Sequence, residues 1–224
     1  MLSRRRSMMA SSTSVKGSVN GIIQDDWKTI GKICQKGPEY VKKYYKVGDV
    51  KPVSIDGEGT IDHEIIGIGV QDKADGTGKA AISWFPKAIP YNLSCSWHSS
   101  NTYCDWPDSS VRSLLNNQVF LKLPAELQKV IVPVDHTEYG YSATDKIWTV
   151  VQDECLKGGI FYDVLGTKEQ RKRRYQGEPY DGLSAYWWTL LQGASTEAWA
   201  VNSSGAFVRE TKSSFYPAPP GFTT

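Results

Sequence analysis

The sequence predicts an α+β fold in which small antiparallel sheets stand beside a few short helices. Three observations carry that expectation. First, Tyr186–Val208 reads as a hairpin meander: runs around Trp187-Trp188 and Trp199 are separated by Gln-Gly-Ala-Ser and Asn-Ser-Ser-Gly. Second, Thr60–Val70 is long and β-branched, and Asp56-Gly57 ahead of it is a hairpin turn. Third, the apolar residues that recur at helical spacing do so only over short stretches. Three of the eight tryptophans lie within the meander, and each can bury roughly 150–250 Å². The meander is therefore expected to be the centre of the core.

Residues 1–20 are polar and basic, which predicts an extended arm with no core of its own, carrying Arg4, Arg5 and Arg6 at its tip. Residues 21–224 are expected to form one domain. A helix over about 26–36 follows from Asp25 or Asp26 as cap and Trp27, Ile30, Ile33 and Cys34 on one face. Val53 and Ile55 alternate into the Asp-Gly turn, and Ala80–Phe85 supplies a further strand. Gly67 and Gly69 within the long strand point to a close neighbour or a bend. Residues 90–110 hold Tyr91, Trp97, His98, Tyr103 and Trp106 without periodicity, the mark of a long ordered loop. Helices are expected over 108–116 and 124–132, a strand over 144–151, and a proline-stiffened extended tail over 215–222.

Composition narrows the function classes. With 26 basic and 24 acidic residues among 224, the chain lacks the basic excess of a dedicated nucleic-acid binder. No run approaches the roughly 18 apolar residues of a membrane span. The basic N-terminus is followed by Ser, Thr, Lys and Gly rather than an apolar stretch, so a secretion signal is not expected. Its Arg/Ser-rich, acid-free start also has the composition of a mitochondrial presequence, but a docking arm is the preferred reading. Cys34, Cys95, Cys104 and Cys155 show no metal-ligand spacing. Cys95 and Cys104 flank one loop and could pair; free thiols are expected.

No constellation names a reaction, and no cofactor or metal is expected. His63 between Asp62 and Glu64 reads as a solvent-facing strand residue, and His136 as a turn residue. His98, near Cys95 and Cys104, would be the base of a Cys/His hydrolase, the outside reading. Asp72–Gly78 lacks the ligand ladder of a calcium loop, and Gly67-Ile68-Gly69 lacks the third glycine of a phosphate loop. Lys168–Arg174, with five basic residues in seven, is expected to be a solvated face. Trp97, Tyr103 and Trp106 are the candidate ligand-binding residues, able to stack on sugar rings, with core packing as the alternative.

A collinear series of short patterns is similar to a domain-of-unknown-function family of phage structural modules and clostridial surface proteins. The series runs Trp27-x-x-Ile30, Tyr45-Lys46-Val47-Gly48-Asp49, Ile65-Ile66-Gly67, and Trp106-x-x-Ser109-x-Val111-Arg112-x-x-Leu115-Asn116. It continues with Leu123-Pro124-x-x-Leu127-x-x-x-Ile131, Asp145-Lys146-Ile147-Trp148 and Trp187-Trp188. The family's Leu-Arg-Ser after the Trp pair is Thr189-Leu190-Leu191 here, and its Gly-Val-Arg-Pro-Ala-Phe ending is blurred to Ala218–Phe222. The C-terminal half resembles C-type-lectin-like domains of the formylglycine-generating-enzyme kind.

The resemblance implies a non-enzymatic virion protein of a tailed bacteriophage. It would be a head decoration or fibre, or a tail-associated adsorption component, assembled in the host cytoplasm through the N-terminal arm. Expected partners are other virion proteins and further copies of the chain, with neither nucleic acid nor membrane. The alternative is a carbohydrate- or receptor-binding, lectin-like module.

Overall fold

The computed structural model describes residues 14–100, 103–136, 143–192 and 196–224. The expected α+β architecture is present: several sheets, mostly small, with short helices packed around them. The largest sheet has seven strands in the order Ser18–Val19, Ile22–Ile23, Val50–Ile55, Gly59–Ile68, Ile82–Pro86, Gly221–Thr223, Ile147–Trp148. Its pairings are antiparallel except the contact of Ile22 with Val50. A separate meander, Trp187–Gln192, Glu197–Val201 and Phe207–Thr211, matches the predicted hairpins.

Successive residues of a strand point to opposite faces, and here both faces are buried. Ile65, Trp84, Ile147 and Phe222 feed one apolar cluster, whereas Ile66, Phe85 and Trp148 feed a second. The meander repeats the pattern, with Trp188 in the first cluster and Trp187 in the second. Trp199 departs from expectation. Ala198 and Ala200 take the inward positions of its strand, so Trp199 stays half-buried on the other face, under the Arg209 guanidinium 5.1 Å away.

The helix Trp27–Cys34 begins where Asp26 accepts the Thr29 N–H at 2.7 Å. Gly31 lets it approach closely, because a Cβ there would meet Val130 Cγ1 at 2.4 Å. The expected 108–116 helix runs longer, as Ser110–Ser113, a π-helical Leu114–Val119 and Phe120–Lys122 in succession. The expected 124–132 helix is only Ala125–Gln128, and Val132 beyond it donates its N–H to the Thr223 carbonyl. Tyr162–Leu165 forms a further short helix.

Three expectations are corrected. The strand over 144–151 is two short pieces, Thr144–Asp145 and Ile147–Trp148. The break falls where Asn116 Oδ1 takes the N–H groups of Lys146 and Ile147. The 215–222 segment is extended as expected but built into the fold rather than a tail: Phe215–Pro217 pairs with Ser94–Ser96, and Gly221–Thr223 lies inside the main sheet. Only glycine fits at 221, where a Cβ would sit 2.8 Å from the Trp148 ring. Finally, the basic run is not simply a solvated face. Arg171 and Arg173 are buried, the first bonded to the carbonyls of Leu165, Gly166 and Gly205, the second to Glu64 and the Pro86 carbonyl.

Ser18 and Val19, within the predicted arm, pair with Ile23 and Ile22, and Asp25 accepts the N–H groups of Lys16 and Gly17. Residues 1–13, including Arg4, Arg5 and Arg6, lie outside the described residues.

Candidate functional site

The densest polar constellation is built on one carboxylate. Asp145, fully buried, ends a two-residue strand and accepts hydrogen bonds from three side chains. Trp106 Nε1 donates to Oδ2 at 2.7 Å, while Arg112 Nε and Asn116 Nδ2 donate to Oδ1 at 2.6 and 3.2 Å. Arg112 and Asn116 are four residues apart on one helical face, and Ser109 caps that helix by accepting the Arg112 N–H. The guanidinium also binds the carbonyls of Pro107 and Thr144. Asn116 then clamps the strand, donating to the Ile147 carbonyl at 2.9 Å while accepting from the Lys146 and Ile147 N–H groups.

Burying a charge is costly unless it is paired and hydrogen-bonded, and each oxygen of Asp145 is engaged here. The residues of Trp106-x-x-Ser109-x-x-Arg112-x-x-x-Asn116 and of Asp145-Lys146-Ile147 are thus the two halves of one lock. The sequence displayed both halves without showing that they meet.

His136 stands beside this lock, its Nε2 3.9 Å from Asp145 Oδ2. Burial pushes its pKa down to about 4, against the opposing pull of Asp145 and Asp135. It is a core residue rather than a turn residue. His63 is also buried, contrary to expectation, because it shares the inward face with Ile61 and Ile65. Its ring nitrogens meet the carbonyls of Ile61 and Pro220, each at 3.2 Å, and burial pushes its pKa down to about 4.

The candidate ligand residues separate. Trp97 and Trp106 are fully buried. Trp97 Nε1 donates to the Thr189 carbonyl at 3.2 Å, and the buried Lys212 ammonium lies 5.4 Å from its ring. Neither indole offers a face to a sugar, so the packing alternative holds for both. Tyr103 alone of the three is open, 69% exposed, with its hydroxyl on Asp105.

The four cysteines are free. Burial raises the pKa of all four thiols, Cys34 to about 11 and Cys95 to about 12, which keeps them protonated at neutral pH. His98 Nδ1 is engaged by Ser100. Among the described residues no group of three or more His, Cys, Asp or Glu is arranged to hold a metal ion, and no helix is long and apolar enough to cross a membrane.

An aromatic surface that sequence reasoning missed lies elsewhere. Tyr91, Tyr175 and Tyr180 meet with ring centroids 4.7–5.8 Å apart, and Tyr180 and Leu183 are 43% and 58% exposed. Tyr91 lies far in sequence from Tyr175 and Tyr180, and no local spacing announces their meeting.

The fold and this lock define an α+β domain whose C-terminal part is fastened by a buried carboxylate paired with a partly exposed guanidinium. That part carries the family: residues 92–223 match the domain of unknown function DUF6273, and the chain belongs to that family. No curated protein and no solved structure matches the chain. Strands Ser18–Pro86 of the main sheet precede the matched region, which contributes Ile147–Trp148 and Gly221–Thr223 to the same sheet.

The histidines give the domain a pH signature. Both folded-state pKa values, about 4, lie below the roughly 6.5 of an exposed imidazole. The unfolded chain therefore binds more protons between those values, and the histidines' contribution is intact above about pH 6.5. It is lost progressively as pH falls toward 4. Chemical denaturation at stepped pH should show stability falling over that window, with a shallower fall in His63→Gln; an identical slope in the variant would contradict the assignment.

Proposed function

We propose that the chain is a non-catalytic structural component of a tailed-phage virion, its C-terminal half a C-type-lectin-like domain and its N-terminal arm, with Arg4, Arg5 and Arg6, the assembling element. The observation that carries the reading is the use made of the motif's polar groups. Trp106, Arg112, Asn116 and Asp145 all bond one another or backbone, as parts of a rigid scaffold do. The collinear resemblance to phage structural modules supports the virion setting. The protonated thiols, and a His98 Nδ1 engaged by Ser100, favour a scaffold over a Cys/His hydrolase. Mass spectrometry of purified particles should find the chain in mature virions at a fixed copy number; its absence from them would refute the reading.

A second reading, binding of a host-surface glycan, draws on the tyrosine cluster. Tyr91, Tyr175 and Tyr180 combine apolar ring faces with hydroxyls, the combination that suits a sugar ring, and Tyr180 is open to solvent. On this reading the contact surface is the tyrosine cluster rather than Trp97 and Trp106. Glycan-array binding should be lost in Tyr180→Ala with the melting temperature changed by only a few degrees. Undiminished binding in that variant would remove this surface from consideration.

A further inference from the structure

The Tyr45-Lys46-Val47-Gly48-Asp49 pattern lies ahead of the family-matched region, and most of its polar groups are engaged within the fold. The Tyr45 hydroxyl donates to Asp25 Oδ2 at 2.9 Å, and Asp25 also holds the N–H groups of Lys16 and Gly17. Asp49 Oδ2 accepts the Lys46 N–H at 3.0 Å and closes the turn. The other oxygen is left over. Asp49 is 1% exposed, yet its Oδ1 has no hydrogen-bond partner among the described residues. A buried carboxylate oxygen without a donor is costly, so one kept in that state marks a place for a donor from outside the fold.

Asp49 lines a cavity of about 390 Å³, together with Ser18, Asn20, Lys42, Lys43 and Lys46. That volume falls in the range of small-molecule sites, about 300–1,000 Å³. Oδ1 lies beside the Asn20-Gly21 turn, 4.0 Å from where a side chain on Gly21 would begin, and Gly21 is itself part of the cavity wall. Positive charge surrounds it. Lys42 is taken by Glu39, but Lys43 and Lys46 have no carboxylate partner among the described residues. Both lysines are exposed. Two unpaired ammonium groups against one carboxylate leave the cavity with one positive charge in excess.

We propose that this cavity binds a hydroxylated ligand carrying a single negative charge, the chemistry shared by uronic-acid sugars and polyol phosphodiesters. One ligand hydroxyl donates to Asp49 Oδ1 and supplies the donor that the fold lacks. The anionic group sits between the Lys43 and Lys46 ammonium groups, and Ser18 and Asn20 offer a hydroxyl and a carboxamide to the remaining ligand oxygens. Charge is then balanced, two lysines against Asp49 and the ligand. A neutral sugar would leave the lysine excess unmatched, and an anion without a hydroxyl would leave Oδ1 unsatisfied. Charge-assisted hydrogen bonds carry the recognition, and the exposed lysines make it sensitive to salt. The site shares no residue with the tyrosine cluster, and it stands whether or not the chain belongs to a virion.

Amide chemical-shift titration of the full-length chain tests it, with glucuronate and glycerophosphoglycerol as probes. Glucose carries only the hydroxyls, and acetate and dimethyl phosphate carry only the charge. At least one probe should shift the amides of 18–21 and 43–49 saturably and bind more tightly than every control; which one binds separates a sugar acid from a polyol phosphodiester. K43Q/K46Q should weaken that binding by about tenfold or more, and so should D49N, which keeps the side chain's shape but puts an amide N–H where Oδ1 stood. If D49N alters the spectrum throughout, K43Q/K46Q decides. Y180A should bind the probes as the wild type does. Absence of a saturable shift with both probes, a control that binds as tightly as they do, or binding undiminished in K43Q/K46Q would each overturn the proposal. None of these results bears on the virion reading, since that stands or falls on particle content.

Discussion

Everything in the C-terminal two-thirds depends on the Asp145 carboxylate being held where water cannot reach it. A lone buried charge would cost several kcal/mol, so the chain is arranged to surround it. The 106–116 segment brings an indole N–H, a guanidinium and a carboxamide to its two oxygens. In satisfying it, Asn116 also fixes the helical turn Leu114–Val119 to the strand Ile147–Trp148. That strand is the edge on which Gly221–Thr223 pairs, and Gly221–Thr223 pairs in turn with Ile82–Pro86. Local electrostatics thereby set the position of the main sheet's last strands.

The second constraint is the sheet's two buried faces. Adjacent residues such as Trp84-Phe85, Ile147-Trp148 and Trp187-Trp188 divide between two apolar clusters. Tight approach between those strands leaves no room for a side chain at Gly221, against the Trp148 ring. Because residues before 92 build five of the seven strands, the family-matched region and the part ahead of it share one sheet.

Elements whose signal is local were legible in the sequence. The Asp26-capped helix, the Asp56-Gly57 hairpin and the Trp meander appear where periodicity and turn residues put them. What failed was set by distant partners. The 144–151 run has strand composition, but Asn116 interrupts its backbone pairing. Pro-rich 215–222 has the look of a tail until its strands find Ser94–Ser96 and Ile82–Pro86. Arg171 and Arg173 read as solvated because nothing nearby in sequence discloses the carbonyls and the Glu64 that receive them. His63 was decidable, since alternation with Ile61 and Ile65 puts it inward. Of the candidate ligand residues, Trp97 and Trp106 proved to be core, and their polar edges found partners 92 and 39 positions away.

The most direct test of this account is a double-mutant cycle on Arg112→Met and Asp145→Asn, read by chemical denaturation. If the carboxylate is the fastening point, the single changes should each cost about 3 kcal/mol and the pair should show a coupling of about 1.5–3 kcal/mol. Losses that simply add, within about 0.5 kcal/mol, would mean that the ion pair does not hold the two halves together.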